Sequence, residues 1–273
     1  MKEQYNPQKY WEQRLSKKLD LTTVGQLGLG IYNYWLYKAR FRAMRRALRK
    51  LEIDVSGKSL IDVGVGSGAW IPFWRKYKIH QIVGLDITSS SISTLKNQYP
   101  DLSFFQRDIC SKLAFAQEGN FDIVTAFDVL FHITDDTDFS NAILNISRLV
   151  KYGGLIIMSD SFCSRPWGPF YHEYHRTYDD YLKEFGLVGL KPLYLEPIFI
   201  IMTTIICESD NAYERMMAGF TRVTLRLISI LSSYPVTEWM NHPIGCSLYL
   251  MDGLLRQITK TGLSLKILIA QKC

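Results

Sequence analysis

The chain has 273 residues, 47% of them apolar and 13% aromatic, which supports a sizeable core in one large or two small domains and excludes a disordered polypeptide. Its five cysteines stand apart at positions 110, 163, 207, 246 and 273 with no C-x-x-C pair, which argues against a zinc site or a disulfide framework and for a reduced, cytoplasmic protein. The net charge of +6 leaves open a nucleic acid or an anionic surface as partner.

The first ten residues are polar, so no secretory signal is expected. Residues 10 to 19 suit a short amphipathic helix entered through Asn6-Pro7, and residues 22 to 30 read as a glycine-rich loop. Residues 31 to 51 form the first strong helix, with Tyr34, Phe41, Met44, Leu48 and Leu51 at the spacing of one buried face. This stretch has no acid, while Lys38, Arg40, Arg42, Arg45, Arg46, Arg49 and Lys50 crowd its second half. The basic run reads as a solvated helix face or as a footprint for nucleic acid or an anionic membrane surface.

From residue 59 strands and helices alternate. Strands are expected at 59 to 63, 81 to 85, 102 to 106, 121 to 126 and 155 to 159, with a tight turn at Gly153-Gly154 leading into the last. Helices are expected at 69 to 77, with Pro72 in its first turn, at 88 or 89 to 98 with a Thr88 or Ser89 cap, and at 139 to 150. Continuous apolar strands alternating with helices are the pattern of a parallel sheet covered on both faces. Beyond it lie a polar aromatic loop at 161 to 178, a helix at 179 to 185 capped by Gly186, and a strand at 188 to 195. A helix at 211 to 231 places Met216, Phe220, Val223, Leu227 and Leu231 on one face and Arg215, Arg222 and Arg226 on another. A last strand covers 264 to 270. The longest apolar run, 198 to 207, is about half of what a membrane-spanning helix needs.

The chain is organised around residues 58 to 68, a strand that runs through Gly64, Gly66 and Gly68 into a helix. Such a turn brings backbone close to a nucleotide-like ligand. Gly64, Gly66 and Ala69 also satisfy a dinucleotide fingerprint, with Asp86 about where its ribose acid would stand. Asp62 at the mouth of the strand would repel a pyrophosphate but suits a cation. A ligand with a cationic end and a ribose describes S-adenosylmethionine better than NAD, although the glycines alone admit both.

Four ordered motifs carry a family resemblance. They are Asp62-Val-Gly-Val-Gly-Ser-Gly68, Val83-Gly-Leu-Asp86-Ile87, Gln106-Arg-Asp108-Ile109, and Phe121-Asp-Ile-Val124 running into Asp128-Val-Leu-Phe-His132-Ile133. A fifth-strand turn follows at Tyr152-Gly-Gly-Leu155. With them the chain resembles the class I S-adenosylmethionine-dependent methyltransferases. The resemblance implies a Rossmann-like α/β fold with a seven-stranded, mostly parallel sheet, the last strand antiparallel beside the fifth. It implies one domain over 1–273, with a helical cap at 1–51, a core at 52–196 and 263–273, and a helical insertion at 197–262 that caps the substrate.

The same resemblance implies the site. Asp62, Gly64, Gly66 and Gly68 would hold the methionine end, Asp86 would take both ribose hydroxyls, Ile87 would pack on the adenine, and Asp108 would accept from its amine, with Ile109 adjacent. Phe127 would border the donor, and Trp11 and Arg14 would close over it. His132 is the candidate base, or else a residue that only shapes the cleft. Trp167, Tyr171, His172, Arg176 and Tyr178 are candidates for the acceptor pocket. The cofactor implied is S-adenosyl-L-methionine, with S-adenosyl-L-homocysteine as product, and no metal. The expected partner is a small-molecule acceptor methylated at oxygen or nitrogen, with no membrane span. An RNA or protein methyltransferase using residues 38 to 50 is the alternative. It lacks the Asn/Asp-Pro-Pro-aromatic signature after the fourth strand and a Pro-Cys nucleophile. A non-catalytic donor-binding protein is a remoter one.

Overall fold

The structure is a computed structural model, and it describes residues 5–26, 28–111, 119–203, 211–259 and 264–273. Two short helices come first, α1 (Pro7–Leu15) and α2 (Leu21–Val24), and then the long α3 (Tyr32–Lys50). The alternating part runs β1 (Ser59–Val63), α4 (Ile71–Lys76), β2 (Gln81–Asp86), α5 (Ser89–Gln98), β3 (Ser103–Gln106), β4 (Phe121–Phe127), α6 (Asp136–Leu149) and β5 (Val150–Asp160). The chain finishes with α7 (Tyr178–Val188), β6 (Leu190–Pro197), α8 (Ala212–Ser232), α9 (Asn241–Ile258) and β7 (Lys266–Lys272).

The seven strands form one sheet in the order β3-β2-β1-β4-β5-β7-β6. β7 alone is antiparallel, paired on one side with β5 and on the other with β6. Alternate residues of each strand feed opposite layers, as the pleat requires. Leu60, Ile157, Ile267 and Ile269 join the layer under α3 and α4, whereas Ile61, Ile156, Met158 and Leu268 join the layer under α6 and α7. This is the expected Rossmann-like sheet, with helical segments before β1 and between β6 and β7.

Several local expectations are corrected. Gly153-Gly154 does not interrupt the sheet: β5 is continuous from Val150, and the glycines take up a register shift against β4. α7 runs two residues past Gly186 to Val188 and is capped by Gly189, which takes the left-handed conformation (φ +68°) that favours glycine. Thr88 stands at the N-cap of α5 as expected but gives it no side-chain cap hydrogen bond. Glu12 reaches across from α1, accepting from the backbone N–H of Ser89 at 2.7 Å and of Ser90 at 3.1 Å. Residues 22 to 30 are not all loop, since α2 extends into them as far as Val24. Cys163 is disulfide-bonded, against the expectation of reduced thiols, while Cys110, Cys246 and Cys273 are free.

The basic run of α3 is not simply a solvated face. Arg40 is buried and pairs with Asp128 at 2.6 Å, Arg42 pairs with the buried Asp252 of α9 at 2.8 Å, and Arg46 pairs with Glu196 at 2.5 Å. Tyr34, placed on the buried face by its spacing, is exposed, while Met44 and Leu48 are buried as expected. α8 reverses expectation more strongly. It buries Ala218, Thr221 and Ile228 and turns Met216, Phe220, Val223 and Leu227 outward. Of the apolar run 198 to 207, residues 198 to 202 are buried and 204 to 207 lie outside the described residues.

Candidate active site

A cleft of about 850 Å³ opens at the carboxyl ends of β1, β2 and β4, where ligands sit in open α/β sheets. Its walls include Asp62, Gly64, Gly66, Asp86, Ile87, Asp108, Ile109, Phe127, His132, Trp11 and Tyr171. Eleven of the residues singled out in the sequence therefore converge on one space.

The floor is acidic and buried. Asp62 is buried, and its Oδ1 accepts from Thr125 Oγ1 at 2.6 Å. Burial pushes its carboxyl up to about 7 against that hydrogen bond, and the nearby Asp86 adds to the rise. Asp86 is buried too. Its Oδ1 accepts from the Thr88 backbone N–H at 2.9 Å and hydroxyl at 2.7 Å, and its Oδ2 accepts from the Gly66 N–H at 2.9 Å. Burial raises its pKa despite these bonds. Three of roughly four acceptor positions are thus filled, leaving less room for a vicinal diol than the expectation of two ribose hydroxyls assumes.

The glycines divide by function. Gly64 (φ +72°) lies in the cleft wall, and a Cβ there would stand 2.4 Å from Val129 Cγ2. Gly68 (φ +71°) is not in the wall: its missing Cβ admits Leu95 and Ile71, so it serves the packing of α5 against the turn. Phe127 stacks on Trp70 at 3.9 Å between ring centroids. Asp108 Oδ1 accepts from Cys110 N–H at 2.9 Å, holding the turn after β3.

The open side is covered by α1 and the loop after β5. Trp11 meets His132 edge to face at 4.8 Å. Arg14 lies outside the cleft wall, with its guanidinium 5.0 Å from the Trp11 ring and donating to Gly25 O at 2.7 Å, so it fixes Trp11 and the 20–25 segment. His132 Nδ1 is 2.8 Å from the His172 carbonyl oxygen. That oxygen can only accept, so Nδ1 carries the proton and Nε2 is left with a lone pair. Burial lowers the His132 pKa to about 4, so the ring is neutral at physiological pH.

His172 is not in the cleft wall. It lies behind His132, nearly parallel to it at 5.6 Å, with Tyr10 stacked on it at 4.7 Å. The sequence holds no metal motif, yet His132, His172 and Glu173 offer ligand atoms within 4.8 Å of one another, a spacing that could hold a divalent cation.

The other acceptor-pocket candidates separate. Tyr171 reaches the cleft together with Pro169 and Phe170. Trp167 exchanges backbone hydrogen bonds with His175, and its ring meets Phe170 at 4.4 Å, one layer out. Arg176 is buried away from the cleft, paired with Asp136 at 2.8 Å and donating to Ile133 O at 2.8 Å, a clamp on the β4–α6 connection. Tyr178 opens α7 and packs edge-on against Phe162.

Three further groups matter that were not among the candidate site residues. Asp128 lines the cleft at φ +57°, held by Arg40 at 2.6 Å and by the Ser159 hydroxyl at 2.6 Å. Tyr37 of α3 lines it as well. Behind the loop, His175 is buried with Nδ1 3.4 Å from Asp160 and Nε2 3.9 Å from Glu173. Burial alone would lower its pKa, but the two carboxylates override burial and raise it to about 9. A protonated His175 therefore ties the loop to the end of β5.

Residues 61–158 match the methyltransferase domain family. The ubiquinone biosynthesis O-methyltransferase of Albidiferax ferrireducens is 26% identical over 140 residues, 47% of this chain and 53% of that protein. The one from Hahella chejuensis is 24% identical over 153 residues, covering 52% and 62%. The chain thus spans about half the length of the curated relatives it matches. Among solved structures, magnesium protoporphyrin IX methyltransferase from Synechocystis, crystallised with bound SAH, superposes with a TM-score of 0.54 at 15% identity, covering 97% of each chain. The [4+2]-cyclase SpnF superposes with a TM-score of 0.51 at 18% identity, covering 85% of this chain and 80% of that one. The domain match places a methyltransferase domain at residues 61–158, and the motifs and sheet order around it support reading the chain as a class I S-adenosylmethionine-dependent methyltransferase.

Proposed function

We propose that the chain transfers the methyl group of S-adenosylmethionine to a hydroxyl of a small-molecule acceptor. The donor supplies an electrophilic methyl on a sulfonium, and the protein aligns the acceptor with it and excludes water. Asp62 faces the cationic methionine end, Asp86 holds the ribose through its remaining acceptor position, and Asp108 receives the adenine amine beside Ile87 and Ile109. Trp11 and Tyr171 close the acceptor side. Residues 1–273 act as one domain, with 1–51 and 197–262 as additions to the core.

One observation carries the choice of a hydroxyl. His132 lies in the cleft wall with its Nδ1–H spent on a carbonyl, which leaves the Nε2 lone pair as the one open to an acceptor hydroxyl's proton. The matched relatives named as O-methyltransferases support this reading. Internal ion pairs on Arg40, Arg42 and Arg46 weaken the nucleic-acid alternative. The SpnF likeness shows that this fold also carries other chemistry, so activity must be measured.

The test follows turnover of labelled S-adenosylmethionine on phenolic and amine acceptors for wild type and His132→Ala. A hydroxyl acceptor should lose roughly 10²–10⁴-fold in turnover with donor affinity unchanged. A variant that keeps nearly the full rate and pH profile on the phenol would remove His132 as the base.

A further inference from the structure

α8 is apolar on the side where a surface helix should be polar. Tyr213, Met216, Phe220, Val223, Leu227 and Ile230 recur every three or four residues and are all exposed, Val223 at 73%. The helix is held to the body by its opposite face, Ala218, Thr221 and Ile228, so the outward stripe is not a core face that lacks a few contacts. The connection into α9 continues the exposure with Val236 at 82% and Trp239 at 67%, and α9 adds Leu250 and Leu254. Soluble monomers seldom expose an apolar helix face of this length without a partner.

Charge selects the partner. Arg222 and Arg226 are exposed on the flank of the stripe and form no ion pair among the described residues. A second copy docked on this face by a two-fold axis would bring the same arginines toward one another. Anionic lipid headgroups would complement them. The ring residues Tyr213, Tyr234 and Trp239 suit the headgroup level, where an aromatic body and a polar tip are both accommodated. No described helix is long and apolar enough to cross a membrane, so the fitting geometry is a helix lying in the interface plane.

We propose that the outer face of the α8–α9 hairpin docks on an anionic lipid bilayer. This is independent of the methyltransferase reading. The test is co-sedimentation of the full chain with vesicles of phosphatidylcholine, alone or with about a third phosphatidylglycerol, at low and high salt, with light scattering in parallel. Wild type should sediment with the anionic vesicles and be released by salt. Replacing Arg222 and Arg226 by Gln together should weaken anionic binding roughly 30-fold. The triple variant Phe220→Ser, Val223→Ser, Leu227→Ser should remain in the supernatant with an unchanged melting temperature. Two results overturn the proposal: wild type unbound to every vesicle, or a wild-type dimer that the triple variant turns into a monomer. The second assigns the face to another copy of the chain.

Discussion

The titration of Asp62 gives the sharpest handle on the donor site. Its carboxyl is buried and raised to about 7, so near pH 6 it is mostly neutral. A cationic ligand end needs the ionised form. If the pKa is about 7, only about one-tenth of the protein is competent at pH 6, and donor affinity should fall about tenfold from its high-pH plateau, ~1.4 kcal/mol. The sign follows from burial: the empty cleft favours the proton and the cation expels it, so binding gets tighter as pH rises and levels off above about pH 8. Calorimetry of S-adenosylmethionine in buffers of different ionisation enthalpy should detect nearly one proton released at pH 6 and almost none at pH 8. Asp62→Asn should bind weakly, by roughly 10–100-fold for a lost charged hydrogen bond, with no dependence on pH in this range. Wild-type affinity that is flat from pH 6 to 8 without proton release, and matched by Asp62→Asn, would refute the placement of the cation at Asp62.

Two other substitutions or treatments test the cleft. Gly64→Ala should abolish donor binding and destabilise the fold by about 1–3 kcal/mol, because the new Cβ meets Val129 at φ +72°; calorimetry and thermal denaturation read the two effects separately. Dialysis against a chelator should leave turnover unchanged, since His132 Nε2 is assigned to the proton. Turnover lost on dialysis and restored by a divalent cation would instead give His132, His172 and Glu173 to a metal.

What the amino-acid order reveals about this fold is mostly local. Asp62, Asp86 and Asp108 stand at strand ends followed by turn residues, and a parallel sheet necessarily gathers those ends at one edge. The charges of α3 could not be assigned in this way. Arg40 finds Asp128 at a separation of 88 positions and Arg42 finds Asp252 at 210, and no periodicity encodes such partners. Arg176 and Tyr171 belong to one polar aromatic loop, yet one turns inward to Asp136 and the other reaches the cleft. The loop's path is set by its backbone pairing with Phe131 and by the His175 ion pairs, which composition does not show. α8 misled for a different reason: an apolar stripe marks a face that avoids water, without saying whether the cover is the same chain.

The central claim, a cleft built for S-adenosylmethionine, is tested most directly by calorimetric titration of wild type and Asp86→Ala with S-adenosylmethionine, S-adenosylhomocysteine and NAD. Wild type should bind both adenosyl ligands and not NAD. Asp86→Ala should lose roughly 10–100-fold in affinity for both, as expected for a charged acceptor removed from the ribose, while still melting cooperatively. Binding of NAD in preference, or unchanged S-adenosylmethionine affinity in a folded Asp86→Ala variant, would contradict it.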